Sequence, residues 1–117
     1  MSSANTPKST QLKYLDEAFE QVNTELLEMF LKKHADYGKG NILANKELGI
    51  AMRISEKVER LKHLLMKSEL ADGDKNEAAP ENESIEETWV DIAVYSVIGV
   101  LYRRKQFQEL EVKQKKK

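Results

Sequence analysis

From Trp89 to Tyr102 the chain is apolar nearly all the way round a helix, and Asp91 is the only charged side chain between Thr88 and Tyr102. A helix with that pattern needs neighbours on several sides. The run is too short to cross a bilayer, which takes about 20 residues. The lone carboxylate is a second constraint. Burying an unpaired carboxylate costs several kcal/mol, so a buried one is held by a cation or a metal. The stretch is therefore expected to lie inside a helical bundle, with Asp91 in a site or an ion pair.

The rest of the chain must supply those neighbours. With 117 residues it amounts to one domain, thin for a three-helix monomer. Charged residues reach 33% and aromatics only 7%, a balance that suits helices with solvated faces better than a β-sandwich. The formal net charge of −1 provides no basic field for nucleic acid, so no such partner is expected. Cysteine is absent, which excludes disulfide and thiolate chemistry and fits a reducing compartment. Met1 to Pro7 is small and polar, unlike a signal peptide. The expectation is a soluble, cytoplasmic protein with no membrane partner.

Residues 1–8 read as a disordered N-terminus. A first helix is predicted over about 10–36, opened by Ser9 or Thr10 and closed by Gly38 and Gly40. Leu12, Leu15, Phe19, Val22, Leu26 and Met29 give it a heptad stripe. A second is predicted over about 45–70, with Ala51, Ile54, Val58, Leu61 and Leu65 as its buried stripe. An acidic linker over 72–83 follows. The third helix, about 84–110, opens on a capping box of Ser84 and Glu87. Its basic C-terminal end suits the helix macrodipole, and 111–117 is a basic tail. There is no repeat and no strand-like alternation of useful length. The fold class is all-α, an antiparallel bundle of three main helices. The apolar third helix points to completion by oligomerisation, as a dimer or tetramer with that helix near the interface.

Glu87 lies one turn before Asp91 on the same face, and Tyr95, Ile98 and Tyr102 follow. On the second helix Glu56 and Glu59 stand three apart, on one flank with Met52, Ser55, His63 and Met66; Arg53, Lys57 and Arg60 lie round the other side. If that flank faces Asp91, four carboxylates converge. Such an oxygen-rich site suits Mg²⁺ or Mn²⁺, and Mg²⁺ commonly joins a few carboxylates to substrate phosphates. The competing reading makes Glu56 and Glu59 exposed charges bonded locally, Glu87 a capping partner, and Asp91 the mate of Lys57 or Arg60 across the bundle. His34 and His63 have no ligand pattern and read as surface histidines. Gly38-Lys39-Gly40-Asn41 lacks P-loop spacing and reads as a helix end and turn.

Paired acids followed by a second acidic cluster resemble the all-α nucleoside triphosphate pyrophosphohydrolases of the MazG and dimeric dUTPase kind. More closely, Tyr37-Gly38-x-Gly40-Asn41, Glu56-Lys57-x-x-Arg60-Leu61 and Glu83-Ser84-Ile85-x-x-Thr88-x-x-Asp91-Ile92-x-x-Tyr95 resemble a small bacteriophage domain called nucleotide-modification-associated. The resemblance spans about 32–102. The pyrophosphohydrolase pattern implies metal ligands at Glu56, Glu59, Glu87 and Asp91. The phage pattern implies phosphate contacts from Lys57 and Arg60, and Tyr37, Gly38 and Asn41 in a loop near the nucleotide. The chain departs from these patterns at Thr88, where the first acid of an E-x-x-D pair is expected, at Glu56, where the phage pattern has Asp, and at Val94, where it has Asn.

The activity this implies is Mg²⁺-dependent hydrolysis of a (d)NTP between its α and β phosphates, in phage or prophage nucleotide metabolism in the host cytoplasm. Glu56 or Glu59 would take the proton from the attacking water. Lys57, Arg60 and Lys39 would balance the phosphate charge. Tyr37 or Tyr95 would pack on the base. Two other readings stand beside it: a module that holds a nucleotide without cleaving it, and a helical interaction domain with no small-molecule site.

Overall fold

The computed structural model describes residues 12–70 and 80–113, with side chains for 12–68 and 84–113. It contains helices α1 (Leu15–Tyr37), α2 (Gly40–Leu70), α3 (Pro80–Arg103) and α4 (Gln106–Glu109), and no strand among the described residues. The all-helical expectation holds. The N-terminal segment 1–8, the caps at Ser9 and Thr10, most of the linker and the last four residues lie outside the described residues.

α1 starts later than the periodicity predicts. Leu12, Lys13 and Tyr14 are not helical, and Tyr14 is the residue before the helix, in extended backbone. Asp16 and Glu17 occupy the first turn, where negative charge suits the helix dipole. The end is as predicted. Gly38 adopts φ 67°, a left-handed backbone that glycine takes without steric cost, and its N–H donates to the His34 carbonyl at 2.8 Å.

α3 is the element on which the others pack. The Lys57–Asp91 and Glu47–Arg103 ion pairs set α2 antiparallel to it. α2 packs on α3 at Gly99, where an added Cβ would lie 3.8 Å from Ile50 Cγ2. α1 is antiparallel to α3 as well. Lys33 reaches Asp91 at one end of the contact, and Leu26 and Leu27 share a groove with Val97 and Leu101 further along. α1 and α2 therefore run in the same direction, so the three helices do not alternate up, down and up. The chain makes this possible by doubling back over 38–46. That stretch is a short helical segment ended by a break at Lys46, whose φ 63° and ψ −166° are not helical.

Lys46 lies in a region of backbone space that is close to glycine-only, and a side chain there costs on the order of 1–3 kcal/mol. Lys46→Gly removes that strain but adds unfolded-state entropy of roughly 0.5–1 kcal/mol. The expected result is a thermal midpoint a few degrees above wild type, read by circular dichroism.

The core is small. Ile50, Val94, Ile98 and Phe107 are buried together, with Leu26, Met29, Phe30, Ile54 and Leu101 packed partly against them. On α2 the buried side is displaced by a residue from the predicted stripe. Ile50, Ile54 and Leu61 face inward, whereas Ala51, Val58 and Leu65 are exposed at its edge. Ile50 lies one turn before Ile54 on the buried face, at a four-residue step that the expected stripe, starting from Ala51, passed over. The α1 stripe is used only in its second half. Leu26 and Met29 touch the core, but Leu15, Phe19 and Val22 are 85%, 67% and 48% exposed. Continuing the register from Lys33 opposite Asp91 to Asn23 beside Leu101 brings Val22 to the last turn of α3 and carries Phe19 and Leu15 past its end.

α3 differs from its prediction at both ends. It begins at Pro80, a residue suited to a first helical position because it has no N–H to satisfy. Ser84 is thus inside the helix and not its cap. Its carbonyl accepts from the buried Thr88 hydroxyl at 2.7 Å, and Glu87 is exposed. At the other end the helix stops at Arg103 instead of running to 110. Lys105 takes a left-handed backbone, φ 63° and ψ 14°, and its N–H donates to the Tyr102 carbonyl at 2.9 Å. This reversal returns α4 along the bundle and buries Phe107. A straight continuation would have left that ring in solvent.

Candidate functional site

A cleft of about 290 Å³ opens between the last turns of α1, the doubled-back segment, α3 and Phe107. One wall is aromatic. Phe30, His34 and Tyr37 share a helix face at steps of four and three. The Phe30 and His34 rings stack at 5.3 Å, and Phe107 meets His34 edge-on at 6.2 Å. Tyr37 is 74% exposed, so its ring remains available at the mouth. Ile42, Ile50, Val94 and Ile98 give the cleft an apolar floor.

Its polar groups are few and come from several elements. Asn41 and Asn45 line it from the doubled-back segment, where the Asn45 amide donates to the Asn41 carbonyl at 2.9 Å. The next turn packs close. An added Cβ on Gly49 would run into the Asn45 side chain, so this position has no room for one unless Asn45 moves. Lys33 and Arg53 bring positive charge from α1 and α2, and Asp91 is the one carboxylate of the lining. Asp91 is paired from the side by Lys57 at 3.1 Å and more loosely by Lys33 at 4.0 Å. Of the two sequence readings of Asp91, this geometry is the ion pair across the bundle. Arg53 has no hydrogen bond or ion pair among the described residues.

Tyr37, Gly38, Asn41, Tyr95 and Asp91, all named from sequence, meet at this cleft, and Lys57 stands behind it through Asp91. Other candidates do not join them. Glu56, Glu87 and Arg60 are exposed outside the lining, and Glu59 is exposed and bonded to Lys62 at 3.3 Å. α2 turns its Arg53 and Lys57 side toward α3, which leaves the Glu56–Glu59 flank on the outside. In the single chain, among the described residues, no three acids or histidines lie close enough to hold an ion together. A lone carboxylate already holding an ammonium group does not fit Mg²⁺ by itself.

Lys39 also lies outside the cleft. Its ammonium donates to the Leu110 carbonyl at 2.7 Å and the Gln108 carbonyl at 3.4 Å, pairs with Glu111 at 3.2 Å, and lies 5.8 Å from the Phe107 ring centroid. It therefore caps the carbonyl end of α4 and pins that helix against the cleft. Lys39→Met is expected to cost about 1 kcal/mol, the ordinary worth of such bonds. Amide exchange should accelerate in residues 106–110 before it does elsewhere.

Sequence reasoning missed Lys33, His34, Asn45, Arg53 and Phe107. His34 is not a free surface histidine, since it stacks on Phe30 and meets Phe107 edge-on. The available signal was periodic: Phe30, His34 and Tyr37 form one face, and Asn45, Gly49, Arg53 and Lys57 follow each other at four-residue steps. No signal pointed to Phe107, because the reversal that brings it in has no glycine. None of the described helices is long and apolar enough to cross a membrane. Comparison with protein-family models, curated proteins and solved structures finds no match to this chain.

Proposed function

We propose that the protein binds a nucleotide in this cleft. The supporting observation is that one cavity combines an aromatic wall, two amide side chains and two cations on different helices. Aromatic faces stack on bases, amides bond to base edges, and Lys and Arg meet phosphate. The cavity volume lies at the lower end of the roughly 300–1,000 Å³ of small-molecule sites, enough for one mononucleotide.

Hydrolysis is the second reading. It draws support from the spacing of Glu56 with Glu59 and of Glu87 with Asp91, and from the resemblance to the pyrophosphohydrolases. It needs the exposed acids to be drawn together around Mg²⁺ or Mn²⁺ by a rearrangement or a second copy. One experiment separates the two. The protein is incubated with Mg²⁺ and each common NTP and dNTP, assayed for monophosphate and pyrophosphate, and followed in parallel for ligand-induced thermal shift. Binding without product supports the module, pyrophosphate release supports the enzyme, and neither overturns both.

The reading includes self-association through the outer face of α3. Trp89 and Val100 are each about half exposed on it, and Val97, at the edge of the α1 groove, is half exposed as well. Light scattering on the eluted protein tests this: a single-chain mass at high concentration removes the homo-oligomer from the proposal.

A further inference from the structure

We infer that the ligand of this cleft is a nucleoside monophosphate, with its phosphate between Lys33 and Arg53; this rests on the nucleotide reading above and narrows it. The first ground is charge. Asp91 has its counter-ion in Lys57, outside the lining, at 3.1 Å. The lining therefore presents Lys33 and Arg53 as its positive charges, one on each of two helices. A phosphomonoester carries about −1.5 to −2 at pH 7, which two cations match. A triphosphate adds further negative charge and normally comes with Mg²⁺ held by carboxylates. The only carboxylate here already faces two ammonium groups.

Size and shape give the second ground. The cavity of about 290 Å³ has little room beyond a base, a pentose and one phosphate. Lys33 and Arg53 line the same cleft as Phe30, His34 and Tyr37, so the cationic part borders the aromatic wall. Arg53 makes no hydrogen bond or ion pair among the described residues, so its planar fork is free to take two phosphate oxygens. Tyr37, at the mouth, is placed to stack on the base.

The test is calorimetric titration of the full chain with each common ribo- and deoxyribonucleoside monophosphate. The matching triphosphates with and without Mg²⁺, the nucleosides and ribose 5-phosphate are titrated alongside. At least one monophosphate should bind about tenfold or more tighter than its nucleoside, the worth of a charge-assisted hydrogen bond, and tighter than its triphosphate. Arg53→Gln and Lys33→Gln should each weaken it about tenfold, again one charge-assisted bond, while the thermal melt of these exposed-site variants stays at the wild-type value. A triphosphate that binds tighter than its monophosphate overturns the inference and leaves nucleotide binding standing. Equal affinity for ribose 5-phosphate overturns it as well, by removing the base. No binding of any nucleotide to folded protein overturns both.

Discussion

Asp91→Asn is expected to tighten the binding of a nucleoside monophosphate several-fold. The substitution keeps the shape of the side chain and removes the one negative charge from the cleft lining. Lys33 and Lys57 then lose the carboxylate that neutralises them, and their charge adds to the positive field at the phosphate position. An elementary charge a few ångströms away, at the effective dielectric of a protein surface, is worth about 1 kcal/mol or more, so a several-fold gain is a modest expectation. Stability should change little. The pair is a quarter to a third exposed, and such ion pairs contribute about 0–1 kcal/mol. The result discriminates between readings of the protein. If Asp91 instead holds a metal for hydrolysis, the amide abolishes turnover and weakens the metal-dependent complex. Calorimetry of the variant with and without Mg²⁺ reads the two outcomes directly, and weaker monophosphate binding would count against the ion-pair role.

Phe107→Ala is expected to leave the chain largely unfolded. The ring is one of five buried hydrophobic side chains among the described residues, and it joins α4 to Ile50, Val94 and Ile98 while meeting His34 edge-on. Truncating a buried phenylalanine costs about 3–5 kcal/mol. Net stabilities of small domains are about 5–15 kcal/mol, and a core this small belongs at the low end. Circular dichroism at 222 nm should show a much reduced helical signal or a strongly lowered melting midpoint. Phe107→Leu keeps most of the volume and serves as the comparison. It should fold, and because its side chain is no longer aromatic beside His34, it should change ligand affinity more than helix content. A Phe107→Ala variant that melts like wild type would mean that α4 is peripheral to the core.

The helices were legible where periodicity and punctuation agree. Gly38 ends α1 as expected because only a left-handed residue can close that turn cheaply. Ile54 and Leu61 fall on the buried side of α2 because a 3.6-residue period constrains a face over several turns. The failures occur at residues whose backbone contradicts their type. Lys46 and Lys105 both have positive φ, and neither announces a break in the sequence. The first lets α2 turn to run antiparallel to α3, and so bears on the face shown to it. Arg53 and Lys57 consequently turn toward Asp91, while Glu56 and Glu59 turn outward. The second turns an expected long third helix into α3 and α4. Site residues followed the same division. The Tyr37–Asn41 loop and Asp91 were visible as local exceptions, a glycine-punctuated turn and a charge in an apolar run. Arg53 and Phe107 depend on how distant segments meet, which local pattern does not encode.

The parallel run of α1 and α2 also bears on how the chain folds as it is made. These two helices come off the ribosome first, yet they meet each other little, and each finds its partners on α3. The contacts that close the structure link distant residues: Lys57 to Asp91 over 34 positions, Glu47 to Arg103 over 56, and Lys39 to Gln108 over 69. A nascent chain ending before α3 thus holds two amphipathic helices with no surface to bury them, and the Phe107 ring of the core arrives only with α4. Folding should therefore wait for α3 and α4 and be slower than usual for a helical protein, since long loops must close before their contacts stabilise anything.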